Sequence, residues 1–152
     1  MSETTAPVTT AASAASVSAA PAAGRARAAR IALRTLTVLL ALFYGVASAL
    51  PKLIAHPTAV ESFDTMGWGS AAMYLIGVLE LAGAVALLVP VLSGVAPIAL
   101  SALMAGAFVV QMSYFDGENA ATPLVLIVPL ALLAWTRRRS NADLVRLVKR
   151  RA

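Results

Sequence analysis

The chain contains no cysteine, which excludes structural disulfides, dithiol redox relays, thiolate-held metals and palmitoylation. Its single histidine, His56, excludes a bis-histidine haem. Charge is scarce too. Asp, Glu, Lys and Arg make up 12% of the residues, where an ordinary soluble domain carries about a quarter. No phosphate-binding loop, Ser-His-Asp set, metal-ligand spacing or dinucleotide fingerprint occurs. Asp116 and Glu118, in a Gly-Asn loop, fall well short of a calcium-site pattern, so no metal is expected.

What remains is apolar. The 152 residues are 60% hydrophobic, with a mean hydropathy of +0.83. A run of about 20 apolar residues is long enough to cross a bilayer, and the chain has room for several such runs but for no sizeable second domain. The net charge of +5 does not point to nucleic acid. Arg25, Arg27, Arg30 and Arg34 lie at one end of the apolar block, and Arg137, Arg138, Arg139, Arg146, Lys149, Arg150 and Arg151 lie at the other. Basic residues placed like this set orientation beside a membrane.

Residues 1–30 form an Ala/Ser/Thr-rich tail with no periodicity and little to bury, expected to be disordered. Residues 31–136 carry the spans: 31–54, 71–90, a third after Pro97 reaching Tyr114, and a short fourth at 122–135. Pro129 is expected to kink the fourth. The alternative for the first run is a signal peptide cleaved after Ala47-Ser48-Ala49. A long basic region before the run, and apolar residues continuing past the cut, favour a retained span. Residues 137–152 form a basic tail, read either as solvated or as a surface helix on an anionic leaflet.

Both basic flanks belong in the cytoplasm, which requires an even number of crossings. The expectation is an all-α integral membrane four-helix bundle, multi-pass in the cell membrane with both termini cytoplasmic. Residues 52–70 and 116–121 then face outward. Trp68, Tyr74, Tyr114 and Phe115 mark the outer interface, and Trp135 the inner one. The partner fixed by composition is the lipid bilayer, and a homo-oligomer is left open.

Between Asp64 and Asp116 the only charged side chain is Glu80. A carboxylate in hydrocarbon costs about 2.5–3.5 kcal/mol on insertion scales, so such residues face the interior of a bundle. Gly77, Gly83 and Ala84 lie three or four positions from Glu80 and share its face, where small residues let helices approach closely. On the first span, Tyr44, Ser48 and Lys52 follow at i, i+4 and i+8 as one polar stripe, and Gln111 enters from the third. These groups are expected to converge on a polar pocket opening outward, in which Lys52 pairs with Glu80 or a protonated Glu80 donates to Tyr44 or Ser48. The alternative is that Glu80, Tyr44 and Ser48 only bond helices together while Lys52 snorkels to the headgroups.

Lys52-Leu53 closing the first span, Phe63 and Gly67-Trp68, the stretch from Tyr74 through Gly77, Glu80, Gly83 and Ala84, and Leu87-Leu88-Val89-Pro90 resemble the DoxX-like family of small four-helix membrane proteins. The resemblance covers about residues 32–136. Ala49 stands where many members carry glycine, and no proline follows Trp68. The resemblance implies an accessory subunit of a quinone-linked membrane oxidoreductase, with Lys52 and Glu80 at the recurrent polar positions. It implies no intrinsic cofactor beyond a bound quinone, and a membrane or soluble oxidoreductase as partner. The alternative is a non-enzymatic assembly factor or lipid-binding scaffold.

Overall fold

The computed structural model describes residues 9–138, with side chains described from Gly24 onward. Among them every regular element is helical. The chain divides into two compact units between Thr35 and Leu36. The first unit is the opening part of helix α1 (Thr9–Leu42). Within the segment read as a tail, helix is described from Thr9 onward. The segment is rich in alanine, the residue with the highest intrinsic helix propensity. Residues 1–8 and 139–152, and with them most of the expected basic tail, lie outside the described residues.

The second unit holds the end of α1, a π-helical segment Phe43–Ala49, α2 (Leu50–Leu53), α3 (Pro57–Thr65), α4 (Gly69–Leu88), α5 (Ala96–Tyr114) and α6 (Ala121–Thr136). Prolines punctuate it. Pro51 sits in the first turn of α2, where its ring would meet the Ala47 carbonyl of a regular α-helix. The wider turn before it, with the Leu50 N–H donating to the Gly45 carbonyl five residues back, relieves that clash. Val89 turns to an extended ψ of 117°, as a residue preceding proline prefers. Pro97 opens α5 at a position where a missing N–H costs nothing.

Each long helix buries one stripe. On α4 it is Met73, Gly77, Glu80, Ala84 and Leu87, spaced alternately four and three as in bundle packing. On α5 it is Ala96, Pro97, Leu100 and Met104, and on α6 Pro123, Leu130 and Leu133. The opposite faces expose large apolar side chains such as Leu75, Val109, Val125 and Val128, which suits a hydrocarbon surrounding. Gly24–Leu53, Gly69–Leu88 and Ala96–Tyr114 are long and apolar enough to cross a membrane. Ala121–Thr136 is apolar but has 16 residues, about 24 Å at 1.5 Å per residue, short of the roughly 30 Å hydrocarbon core.

The segment expected to be a simple outer loop contains α3. It begins with Pro57 after His56, whose Nδ1 lies 2.8 Å from Thr58 Oγ1. It ends in a Schellman motif. Gly67, at φ +70°, donates to the Asp64 carbonyl, and the Trp68 N–H donates to the Phe63 carbonyl. Glycine tolerates that left-handed conformation, and the accompanying apolar contact is Phe63 against Trp68, ring centroids 6.4 Å apart. Trp68 also meets Tyr114 at 6.2 Å, which ties α3 to the end of α5.

At the other end, Arg137 Nη2 donates to Thr37 Oγ1 at 2.8 Å and Nη1 to the Ser93 carbonyl at 3.5 Å. One side chain thus joins α1, the turn between α4 and α5, and the end of α6. Burial lowers the affinity of the Arg137 guanidinium for its proton relative to its ordinary value.

Close approach explains Gly77 and Gly83 of α4. A Cβ added at Gly77 would lie 3.0 Å from Lys52 Cβ, and one at Gly83 would lie 2.5 Å from Leu100 Cδ2. Ala84 stands 3.7 Å from the Cβ position of Gly45. Gly83→Val is expected to destabilise the bundle by about 1–3 kcal/mol through overpacking, read as a lowered thermal midpoint in detergent. Gly24→Ala, where an added Cβ meets nothing within 4 Å, is the control without overpacking and should stabilise by up to about 1 kcal/mol through helix propensity.

Candidate functional site

Glu80 lies eleven residues into α4, on its buried stripe, and is only 3% exposed. Gly77, one turn earlier, lets the side chains of Lys52 and Leu53 come directly against α4. Lys52 is therefore level with Gly77, and its four-carbon stem carries the ammonium one turn deeper, to Glu80. Lys52 Nζ lies 2.8 Å from Glu80 Oε2, with side-chain exposures of 19% and 4%. The same ammonium donates to the Ser48 carbonyl at 2.9 Å and to Ser48 Oγ at 3.3 Å. Its three donors thus meet three acceptors. Lys52 does not snorkel away from the bundle.

The remaining polar candidates separate. Among the described residues no hydrogen bond joins Glu80 to Tyr44 or Ser48. Tyr44 is fully buried and its hydroxyl has no partner, although its ring makes an edge contact with Phe43 at 5.5 Å. Gln111 Oε1 is likewise buried without a partner. Such an atom costs about 1–3 kcal/mol unless something pairs with it, so each calls for an explanation.

The explanation for Gln111 is a cavity of about 690 Å³. Ser48, Lys52, Glu80 and Gln111 all line it, and Tyr44 does not. The cavity arises from the packing order: α4 packs on the π segment, α2, α3 and α5, and α5 packs on α6. Neither the π segment nor α2 packs extensively on α5 or α6, and the space between them stays open. Leu103, Met104, Ala107, Val110 and Leu126 give it apolar walls, while Phe63, Trp68 and Phe115 close in at the α3 end. Its size and its few convergent polar groups in an apolar lining are those of a small-molecule site.

Several lining residues escape a reading of the sequence. Asn119 and Thr122 line the cavity from a turn and a helix start with no periodic signal. Phe43 and Ser62 look like ordinary surface residues until the π segment and α3 are in place. A usable signal existed for α3 itself: Pro57 as an opener, then Val60, Phe63 and Met66 three apart. Among the described residues no cluster of three or more His, Cys, Asp or Glu forms.

Removing one member of the pair strands the other. Lys52→Met is expected to cost about 3 kcal/mol or more by leaving a buried carboxylate unpaired, and adding Glu80→Leu should recover much of that loss. Thermal midpoints of the single and double variants in one detergent check the coupling.

The model of the DoxX-like family matches residues 35–134, a stretch containing Tyr44, Ser48, Lys52, Glu80 and Gln111. No curated protein and no solved structure matches the chain. Apolar helices of spanning length, a carboxylate–ammonium pair between the first of them and α4, and this match agree: the chain is a membrane protein of the DoxX-like family.

Proposed function

We propose that the protein is an accessory subunit of a quinone-linked membrane oxidoreductase and holds the quinone head group in the cavity beside Lys52 and Glu80. The observation that carries this reading is the ion pair itself, lining a mainly apolar space of about 690 Å³. Lys52 gives a ring carbonyl the hydrogen otherwise donated to Ser48 Oγ, the longest of its three contacts at 3.3 Å. Glu80 holds or releases a proton at the same place. Gln111 gives an amide to a second polar group of the ring. A quinone supplies two-electron, two-proton redox chemistry, and the electrons come from a partner, because the sequence has no thiolate and only one histidine.

In this reading the bundle crosses the membrane four times with both ends in the cytoplasm. The basic residues at both ends of the apolar block support it. So does the bond from Arg137 to Thr37, since residues a whole bundle apart in sequence meet at one end. The 16-residue α6 spans as a short, upright helix at a locally thinned bilayer.

A second reading, a lipid-binding assembly scaffold, draws on the tight glycine contacts of α4 and on the apolar walls of the cavity. In it, the ion pair only fastens helices. Glu80→Gln separates the two. Loss of a positioned proton-transfer group is expected to lower quinone-dependent electron transfer in membrane vesicles about 100-fold, with protein level and helix content retained. An unchanged rate removes the quinone reading, and a lipid or protein recovered in mild-detergent pull-downs then supports the scaffold.

A further inference from the structure

One residue on the cavity wall has no packing reason to be what it is. Gly106 stands in the middle of α5, where glycine weakens a helix by about 1 kcal/mol relative to alanine. It has no positive φ, and a Cβ added there meets nothing within 4 Å. The contrast with Gly77 and Gly83, each held against a neighbouring helix, is plain. Gly106 is nonetheless both cavity-lining and exposed. Its neighbours on the outer face of α5, Val109 and Met112, are exposed and apolar. The cavity therefore reaches the hydrocarbon-facing surface at Gly106, halfway along a spanning helix. Phe43, on the wall formed by the first helix, also lines the cavity while partly exposed.

We infer that Gly106 keeps open a portal to the bilayer, through which the apolar tail of a quinone-like ligand lies while its ring sits at Lys52 and Glu80. This rests on the quinone reading above and adds the route and the ligand class. A mid-helix opening among apolar side chains suits a hydrocarbon tail and not a water-soluble molecule. The charge arrangement selects the head. Lys52 is already neutralised by Glu80 at 2.8 Å, so an anionic phosphate head would have to break a buried pair, whereas an uncharged carbonyl needs only to replace Ser48 Oγ as acceptor of one ammonium hydrogen. The ligand is an uncharged ring with acceptor oxygens and a single long isoprenoid or alkyl tail.

The test compares two probes on the full-length protein in detergent-free nanodiscs: a tail-less tetramethylbenzoquinone and a decyl-tailed benzoquinone. Gly106→Trp should weaken binding of the tailed probe by about tenfold or more, leave the tail-less probe within about twofold, and preserve the melting temperature. Gly106→Ala should bind both as wild type does. Phe43→Ala, widening the opening from another wall, should speed uptake of the tailed probe, and it carries the test should Gly106→Trp fail to fold. Wild-type affinity of Gly106→Trp for the tailed probe overturns the portal and leaves the quinone reading standing. Equal loss of both probes also overturns the portal, because the tryptophan then fills the head-group site. If the wild-type protein binds neither probe, the quinone reading falls and the portal falls with it.

Discussion

The Lys52–Glu80 ion pair is the constraint around which the rest of the bundle is arranged. A carboxylate at mid-helix in an apolar segment is tolerable only if another charge and further hydrogen bonds meet it. That requirement brings the end of the first helix against α4, which only a small residue at position 77 allows. It also turns a lysine that would otherwise reach for the headgroups back into the protein, with Ser48 accepting the remaining hydrogens. Packing, charge and hydrogen bonding are satisfied by one local geometry.

The same geometry leaves a gap. With the π segment and α2 drawn to α4, and α6 docked on α5, the bundle does not close between the first helix and the last pair at this level. It closes at the opposite end, where Arg137 reaches Thr37 and Ser93. A bundle fastened at one end and open around a buried ion pair at the other leaves a mainly apolar cavity with a charged pair on one wall. The structural demand of the charge and the chemical opportunity of the cavity share a cause, which is why the ion pair serves both the quinone and the scaffold readings.

Much of this was legible in the residues, for physical reasons. Glu80 stands out because charge is so rare around it, and the small residues at 77, 83 and 84 fall on its face by helical period alone. The reach of Lys52 follows from its place one turn after Ser48. What stayed hidden depends on tertiary packing. The π segment arises where Pro51 meets a helix already held by neighbours, and it detaches Tyr44 from the polar stripe that regular i+4 spacing predicts. The α3 helix is short and only weakly periodic, and Asn119 and Thr122 become lining residues only once α5 and α6 have formed a wall. In the amino-terminal segment, which has no periodicity and little to bury, alanine favours helix, and helix is described from Thr9.

Both the packing and the cavity depend on Lys52 facing inward within the bilayer. Solid-state NMR on protein labelled with ¹⁵N at lysine Nζ and ¹³C at the glutamate side-chain carboxyl, reconstituted in lipid, measures this directly. The chain has two lysines, Lys52 and Lys149, so the Lys52→Met protein assigns the signal. A strong nitrogen–carboxyl dipolar coupling that disappears in both Lys52→Met and Glu80→Gln is the predicted result. A Lys52 nitrogen with no such coupling, in contact with lipid headgroups instead, would contradict the account at its centre.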